Sequence, residues 1–212
     1  MIEVRNVSFR YPKTQKYILH DVSFRLDRGE IAALTGANGC GKTTLARMIA
    51  GMIKPESGCV LIDGQDTKEM SLFAIGQRVG YLFQEPGRQL FCDTVENEIA
   101  FGLRNLKKSE EEIRTITEEY LQLMGITHLR KAFPGTLSQG EKQRVVISCI
   151  LSMGTDYLLL DEPTNGLDMK RRAVLRDTLL MLKNEKNCGI ALISHDRAFI
   201  DSVCDREEAM CK

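Results

Sequence analysis

The residues Gly36-Ala37-Asn38-Gly39-Cys40-Gly41-Lys42-Thr43 follow a short apolar run and open a helical one. Glycines at this spacing let the backbone curl so that successive N–H groups point inward, an arrangement that holds phosphate oxygens. Lys42 stands where its ammonium can reach the β- and γ-phosphates of a nucleotide, and the Thr43 hydroxyl can ligate Mg²⁺. A helix beginning at Lys42 adds the positive end of its dipole. The bland alternative is a glycine-rich turn with a chance Lys-Thr. Against it, the apolar run Ile31 to Thr35 and the helical stretch after Lys42 give the strand–loop–helix context that phosphate binding needs. Asn38, Gly39, Cys40, Gly41 and Thr44 complete the expected cradle. Within it, neighbouring N–H groups and Lys42 favour a thiolate at Cys40; the competing reading is an inert small filler.

A second candidate is Tyr157-Leu158-Leu159-Leu160-Asp161-Glu162, an apolar strand ending in two carboxylates. A buried parallel strand delivers its last residues to the carboxyl edge of the sheet, where a phosphate loop also lies. Asp161 is then expected to hold Mg²⁺ through water, and Glu162 to polarise the water that attacks the γ-phosphate. On its own this segment is as readily a strand end with a solvated acidic turn; its pairing with the phosphate loop decides for chemistry.

The elements that must position these residues alternate along the chain. Ile2 to Arg10 and Val22 to Leu26 read as strands joined by a polar loop around Pro12-Lys13-Thr14, and Val60 to Ile62 and Val79 to Phe83 as further strands. From about Thr94 to Met153 the pattern is mostly helical. Ser109 and Glu112 form a capping box that opens a helix with Ile113, Ile116, Tyr120, Leu121 and Met124 on one face. Strand and helix then alternate again: Tyr157 to Leu160, Met169 to Lys186, Gly189 to Ser194, and a short helix from Asp196. This order predicts an α/β fold, with a parallel core sheet, an antiparallel N-terminal β lobe and a helical subdomain at about 94–153, in one domain spanning 1–212. Past Cys211-Lys212 such a sheet is expected to take one or two more strands.

Bulk composition excludes several classes. Hydrophobic residues make up 43% and charged residues 27%, a globular balance. The longest apolar run, Val145 to Met153, covers about half a bilayer, so no membrane insertion is expected from the chain itself. The N-terminus lacks the basic-then-apolar pattern of a signal peptide, so with the scattered cysteines a cytoplasmic location is expected. Lys and Arg number 29, as do Asp and Glu, so no basic excess points to direct nucleic-acid binding. The seven cysteines are odd in number and hold no C-x-x-C, which reads as reduced thiols rather than a disulfide frame or zinc site.

Leu137-Ser138-Gln139-Gly140-Glu141 resembles the signature of the ABC ATPases. Ser138 and Glu141 also fit a capping box, so the plain reading is a helix start; the order of the other motifs decides against that reading alone. Gln84 follows a strand like the family's Q-loop, Asp161 to Asp168 resembles its second acidic motif and D-loop, His195 its switch histidine, and Tyr11 its adenine-stacking aromatic. The resemblance covers essentially the whole chain. It implies an ATPase with catalytic residues Glu162, His195 and Gln84, with Gln84 also near Mg²⁺, working as a head-to-tail homo- or heterodimer. Ser138 and the N–H groups near Gly140 of one subunit then face the γ-phosphate held by the other. The signature departs from the commoner Leu-Ser-Gly-Gly-Gln, and Glu141 is expected to turn away from phosphate and cap its own helix.

Within the family, Phe83 to Phe91 followed by Thr94 to Leu103 is similar to the ATPases of energy-coupling factor importers of vitamins or transition-metal ions such as cobalt and nickel. There this stretch forms the groove for coupling helices of transmembrane subunits, which would hold the protein at the inner face of the membrane. The alternatives are another transporter class, or an ABC ATPase acting on nucleic acid or ribosomes. The segment between Gln84 and Ser138 is too short for the coiled coils or zinc modules of the DNA-repair types.

Overall fold

The computed structural model describes residues 1–12 and 14–210, so Lys13, Cys211 and Lys212 lie outside the described residues. A first sheet holds β1 (Ile2–Phe9), β2 (Leu19–Leu26), β4 (Ser57–Ile62) and β5 (Gln65–Asp66) in the order β2-β1-β4-β5, all antiparallel. Its strands alternate buried and exposed residues, as expected where one face meets the core and the other meets water. A second sheet holds β6 (Val79–Leu82), β7 (Tyr157–Asp161), β8 (Gly189–Ile193), β3 (Ile31–Thr35) and β9 (Arg206–Ala209) in the order β6-β7-β8-β3-β9, all parallel.

Every residue of β3, β7 and β8 is buried. Because successive side chains in a strand point to opposite faces, these strands feed two apolar clusters in turn. Ile31, Ala33, Leu158, Leu160, Ile190 and Leu192 enter one, with α5 (Gln139–Ser152) and α6 (Met169–Lys186). Ala32, Leu34, Tyr157, Leu159, Ala191 and Ile193 enter the other, with α1 (Lys42–Ile49) and the antiparallel sheet. A chain segment with both faces covered has to read as a continuous apolar run, which is why these three strands are plain in the sequence.

Between β6 and β7 run α3 (Val95–Asn105), α4 (Glu110–Leu123) and α5, the expected helical stretch. The Ser109–Glu112 capping box at α4 is present in both directions. Strand limits differ by a few residues from the sequence reading: β1 stops at Phe9, β2 starts at Leu19, β6 stops at Leu82 and β8 at Ile193. Two short elements are additional, β5 and α2 (Leu72–Gly76). So is β9, whose Arg-Glu-Glu-Ala sequence has no strand signature. It forms because the edge of β3 offers unpaired backbone, to which Arg206 to Ala209 add in register with Ala32 to Thr35. The sheet therefore gains a fifth strand after α7 (Arg197–Val203), within a segment where the sequence reading placed no strand beyond Gly189 to Ser194.

Candidate active site

The parallel register gathers the site. Leu34 is level with Ile193, Ile193 with Asp161, and Leu160 with Leu82. Residues just past the ends of β3, β8, β7 and β6 therefore emerge along one sheet edge. These are the phosphate loop, His195, Glu162 and Gln84. They line one cleft of about 570 Å³ together with Tyr11, Ile18, Asn38, Gly39, Gly41, Lys42, Thr43, Thr44, Asp161, Asn165 and Ile193.

Gly41 closes the loop onto α1 with φ +105°. A Cβ there would lie 2.6 Å from Leu19 Cδ2 and 3.1 Å from the Ile18 carbonyl, so only glycine fits. Lys42 is buried, and its ammonium donates to the carbonyls of Gly36 at 2.7 Å and Ala37 at 3.1 Å. Those bonds curl the loop around the ammonium. Cys40 lies against the Lys42 ammonium, its Sγ 3.8 Å from Lys42 Nζ. Its side chain, 3% exposed, packs in the apolar cluster beneath the loop rather than lining the cleft, and its N–H donates to the Ala37 carbonyl.

Thr43 Oγ1 donates to Asp161 Oδ2 at 2.6 Å. Burial raises the Asp161 carboxyl above its ordinary range, opposed by the Thr43 bond and by the nearby Arg47 and Lys42 cations. Glu162 is also raised by burial, opposed chiefly by His195. His195 Nε2 lies 3.6 Å from Glu162 Oε1, and the Ser194 hydroxyl lies 3.4 Å from Oε2. A carboxylate raised in this way is a better proton acceptor than a solvated one. Tyr11 closes the far wall, its hydroxyl 3.3 Å from Thr44 Oγ1 and its ring edge-on to Phe9.

Ser138 and Gly140 do not line this cleft. Ser138 caps α5 in a reciprocal box with Glu141. The Glu141 carboxylate accepts from the Ser138 hydroxyl at 2.6 Å and from its N–H at 2.8 Å, bonds that hold its pKa below the usual range. It is committed to its own helix, as the sequence reading expected.

Sequence reasoning did not single out Ile18, Asn165 and Ile193. Asn165 was within reach of it, lying three residues after Glu162 in the acidic turn. Ile18 carries no signal, being placed only by the loop into β2.

Fold and cleft together define a nucleoside-triphosphate-binding protein of the phosphate-loop class. A family model described as ABC transporter matches residues 19–165. The chain is 43% identical, over 97% of its length and 78% of the relative's, to a protein of Pyrococcus furiosus named as an ABC transporter ATP-binding protein. It is 38% identical to the energy-coupling factor transporter ATP-binding protein EcfA1 of Streptococcus pneumoniae, over 92% of this chain and 72% of that one. Among solved structures, the dimeric ATP-binding cassette MJ0796, bound to ADP and Pi, aligns with a TM-score of 0.90 at 25% identity, covering 99% of this chain and 94% of the other. The chain belongs to the ABC transporter family, and is an ATP-binding ATPase of that family.

Proposed function

We propose that this chain is the ATPase of an energy-coupling factor importer, carrying a vitamin or a transition-metal ion. One observation carries the catalytic part: Thr43, Asp161, Glu162 and His195, drawn from three different strand ends, converge on one cleft behind a phosphate loop. ATP lies with its phosphates on the N–H groups of residues 38–44 and on Lys42, and its adenine against Tyr11. Glu162 accepts a proton from the attacking water, while His195 and Gln84 face the γ-phosphate.

Mg²⁺ fits the donors present. Thr43 Oγ1 and the Asp161 carboxylate are hard oxygens side by side, and this ion takes few protein ligands beside water and substrate phosphates. Bound there, with Gln84 nearby, it would offset negative charge on the phosphate oxygens.

Ser138 and Gly140 stand outside their own subunit's cleft, which supports a two-subunit site in which they meet the partner's γ-phosphate. The importer reading is supported by the likeness to EcfA1 and by an apolar surface beside the Q-loop. Phe91, 66% exposed, stacks edge-on against Phe101 with ring centroids 4.8 Å apart, and exposed Phe133 lies beside Phe91 across a small pocket. That surface suits coupling helices of transmembrane subunits, which would place the chain on the inner face of a membrane. No helix among the described residues is long and apolar enough to cross one.

The test is the mass in solution of Glu162→Gln, with and without Mg-ATP, by size exclusion with light scattering. Slowed hydrolysis should trap a species of twice the monomer mass. A protein that binds ATP yet stays monomeric with this subunit alone would overturn the homodimer and leave pairing with a different ATPase, which co-purification of the native complex identifies.

A further inference from the structure

Glu162 holds a backbone conformation that its own sequence disfavours. Its φ is +54°, in the left-handed region that non-glycine residues rarely enter. It also precedes Pro163, whose ring pushes the residue before it toward extended backbone. Such a turn persists only where its surroundings over-determine it.

Two of the bonds that fix it are local to the strand ends. The Glu162 N–H donates to the Ile193 carbonyl at 2.8 Å, and the Asn165 N–H donates to the Glu162 carbonyl at 3.2 Å. A further one comes from α5. Gln143 Nε2 donates to the Pro163 carbonyl at 3.1 Å and, more loosely, to the Glu162 carbonyl at 3.4 Å. Gln143 is 2% exposed. An amide at that depth is costly unless its hydrogen bonds are made, and here its N–H group is spent on two consecutive carbonyls of the carboxylate turn. Nearby, Gly140 packs so closely on Gly166 that a Cβ at position 140 would lie 2.5 Å from the Gly166 carbonyl oxygen. The first turns of α5 and the acidic turn thus meet at two points, and Gln143 makes the polar one.

We infer that Gln143 is a positioning residue for ATP hydrolysis, holding the Glu162–Pro163 turn so that the Glu162 carboxylate stands correctly against the attacked phosphate. It touches no substrate and acts through Glu162, so the inference rests on the reading of Glu162 as the base.

Gln143→Met keeps the side chain's length and removes its donor. Its ATPase kcat should fall about tenfold while the KM for ATP stays within about twofold, the pattern of an interaction that matters in the transition state. Pro163→Ala relieves the restriction on Glu162, so in that background Gln143→Met should lose at least about threefold less, a coupling that double-mutant cycles read. Equal losses in both backgrounds would overturn the inference, as would a raised KM with kcat unchanged. If Gln143→Met alone does not fold, the double variant, with its turn relieved, should; failure of both to fold would make Gln143 a requirement of the core and overturn the inference. Glu162→Gln, measured alongside, separates the two claims. If it keeps wild-type turnover, the base assignment fails and this inference with it. If it is inactive while Gln143→Met turns over like the wild type, only the role of Gln143 fails.

Discussion

Thr43 and Asp161 are 118 residues apart in the chain, yet the hydroxyl of one donates to the carboxylate of the other at 2.6 Å. The first residue belongs to the helix that follows β3 and the second ends β7, with β8 between the two strands. This bond ties the phosphate loop to the strand end that carries the two carboxylates, and its two oxygens are the ones proposed to hold Mg²⁺.

Removing the Lys42 side chain should weaken ATP binding. A charge-assisted hydrogen bond contributes about 1.5–3 kcal/mol, so Lys42→Ala is expected to raise the Kd for ATP by about tenfold to one hundredfold. Calorimetric titration with ATP checks this, and an affinity equal to the wild type would refute the phosphate role of Lys42.

Burial raises the Glu162 pKa, and His195 is the chief influence lowering it. A base must be deprotonated to act, so ATPase activity should fall on the acid side starting at higher pH than an ordinary glutamate would give. His195→Ala removes the imidazole's share of that influence and keeps the backbone hydrogen bond, so it should move that acid limb to still higher pH, besides lowering kcat. A pH–kcat profile of the two proteins decides the sign; an acid limb unmoved or displaced downward would refute it.

Asp63 links the two sheets. Its carboxylate accepts from Arg28 at 2.8 Å, from the Tyr157 hydroxyl at 2.7 Å and from the Met1 ammonium at 2.5 Å. Although burial pushes its pKa up, these bonds hold it well below the usual carboxylate range. A depressed folded-state pKa contributes stability that is present above the unfolded value and is lost as pH falls through the folded one. Asp63→Asn should therefore cost about 1–3 kcal/mol at pH 7, and the difference should shrink as pH drops below about 4. Urea unfolding at both pH values measures it; a pH-independent difference would count against the ion-pair account.

Gly140 cannot carry a side chain without displacing the Gly166 backbone. Gly140→Ala is expected to lower stability by about 1–3 kcal/mol, the usual cost of overpacking. The thermal midpoint would fall by several degrees, and a wild-type midpoint would show that the contact relaxes freely.

Cys40 lies beneath the phosphate loop, whereas Cys59 is partly exposed. Thiol reagents should modify Cys59 first and Cys40 slowly, and saturating ATP should slow Cys40 further by holding the loop shut. Complete modification of Cys40 should abolish ATP binding. Mass-mapped alkylation rates and a binding assay test both statements, and full ATP binding after complete modification would sink the second.

The class of the site and most of the fold are legible in the order of residues alone. The phosphate loop, the acidic strand end and the signature are local patterns, legible because each chemical task needs particular side chains at fixed backbone spacing. β3, β7 and β8 were legible for a related reason, since a strand buried on both faces must be apolar at every position. The capping boxes at Ser109 and Ser138 were equally local. Which of these residues meet depends on the folded packing. The register of five parallel strands, set by long-range hydrogen bonding, brought Gln84, Thr43, Glu162 and His195 to one edge and left Ser138 elsewhere. It made a strand of the charged segment Arg206 to Ala209, because the edge of β3 supplied the pairing. It also turned the Cys40 thiol into the core and aimed Gln143 at the Glu162 turn. A residue's type says what it can bond, but its partner is chosen by which chain segments pack together.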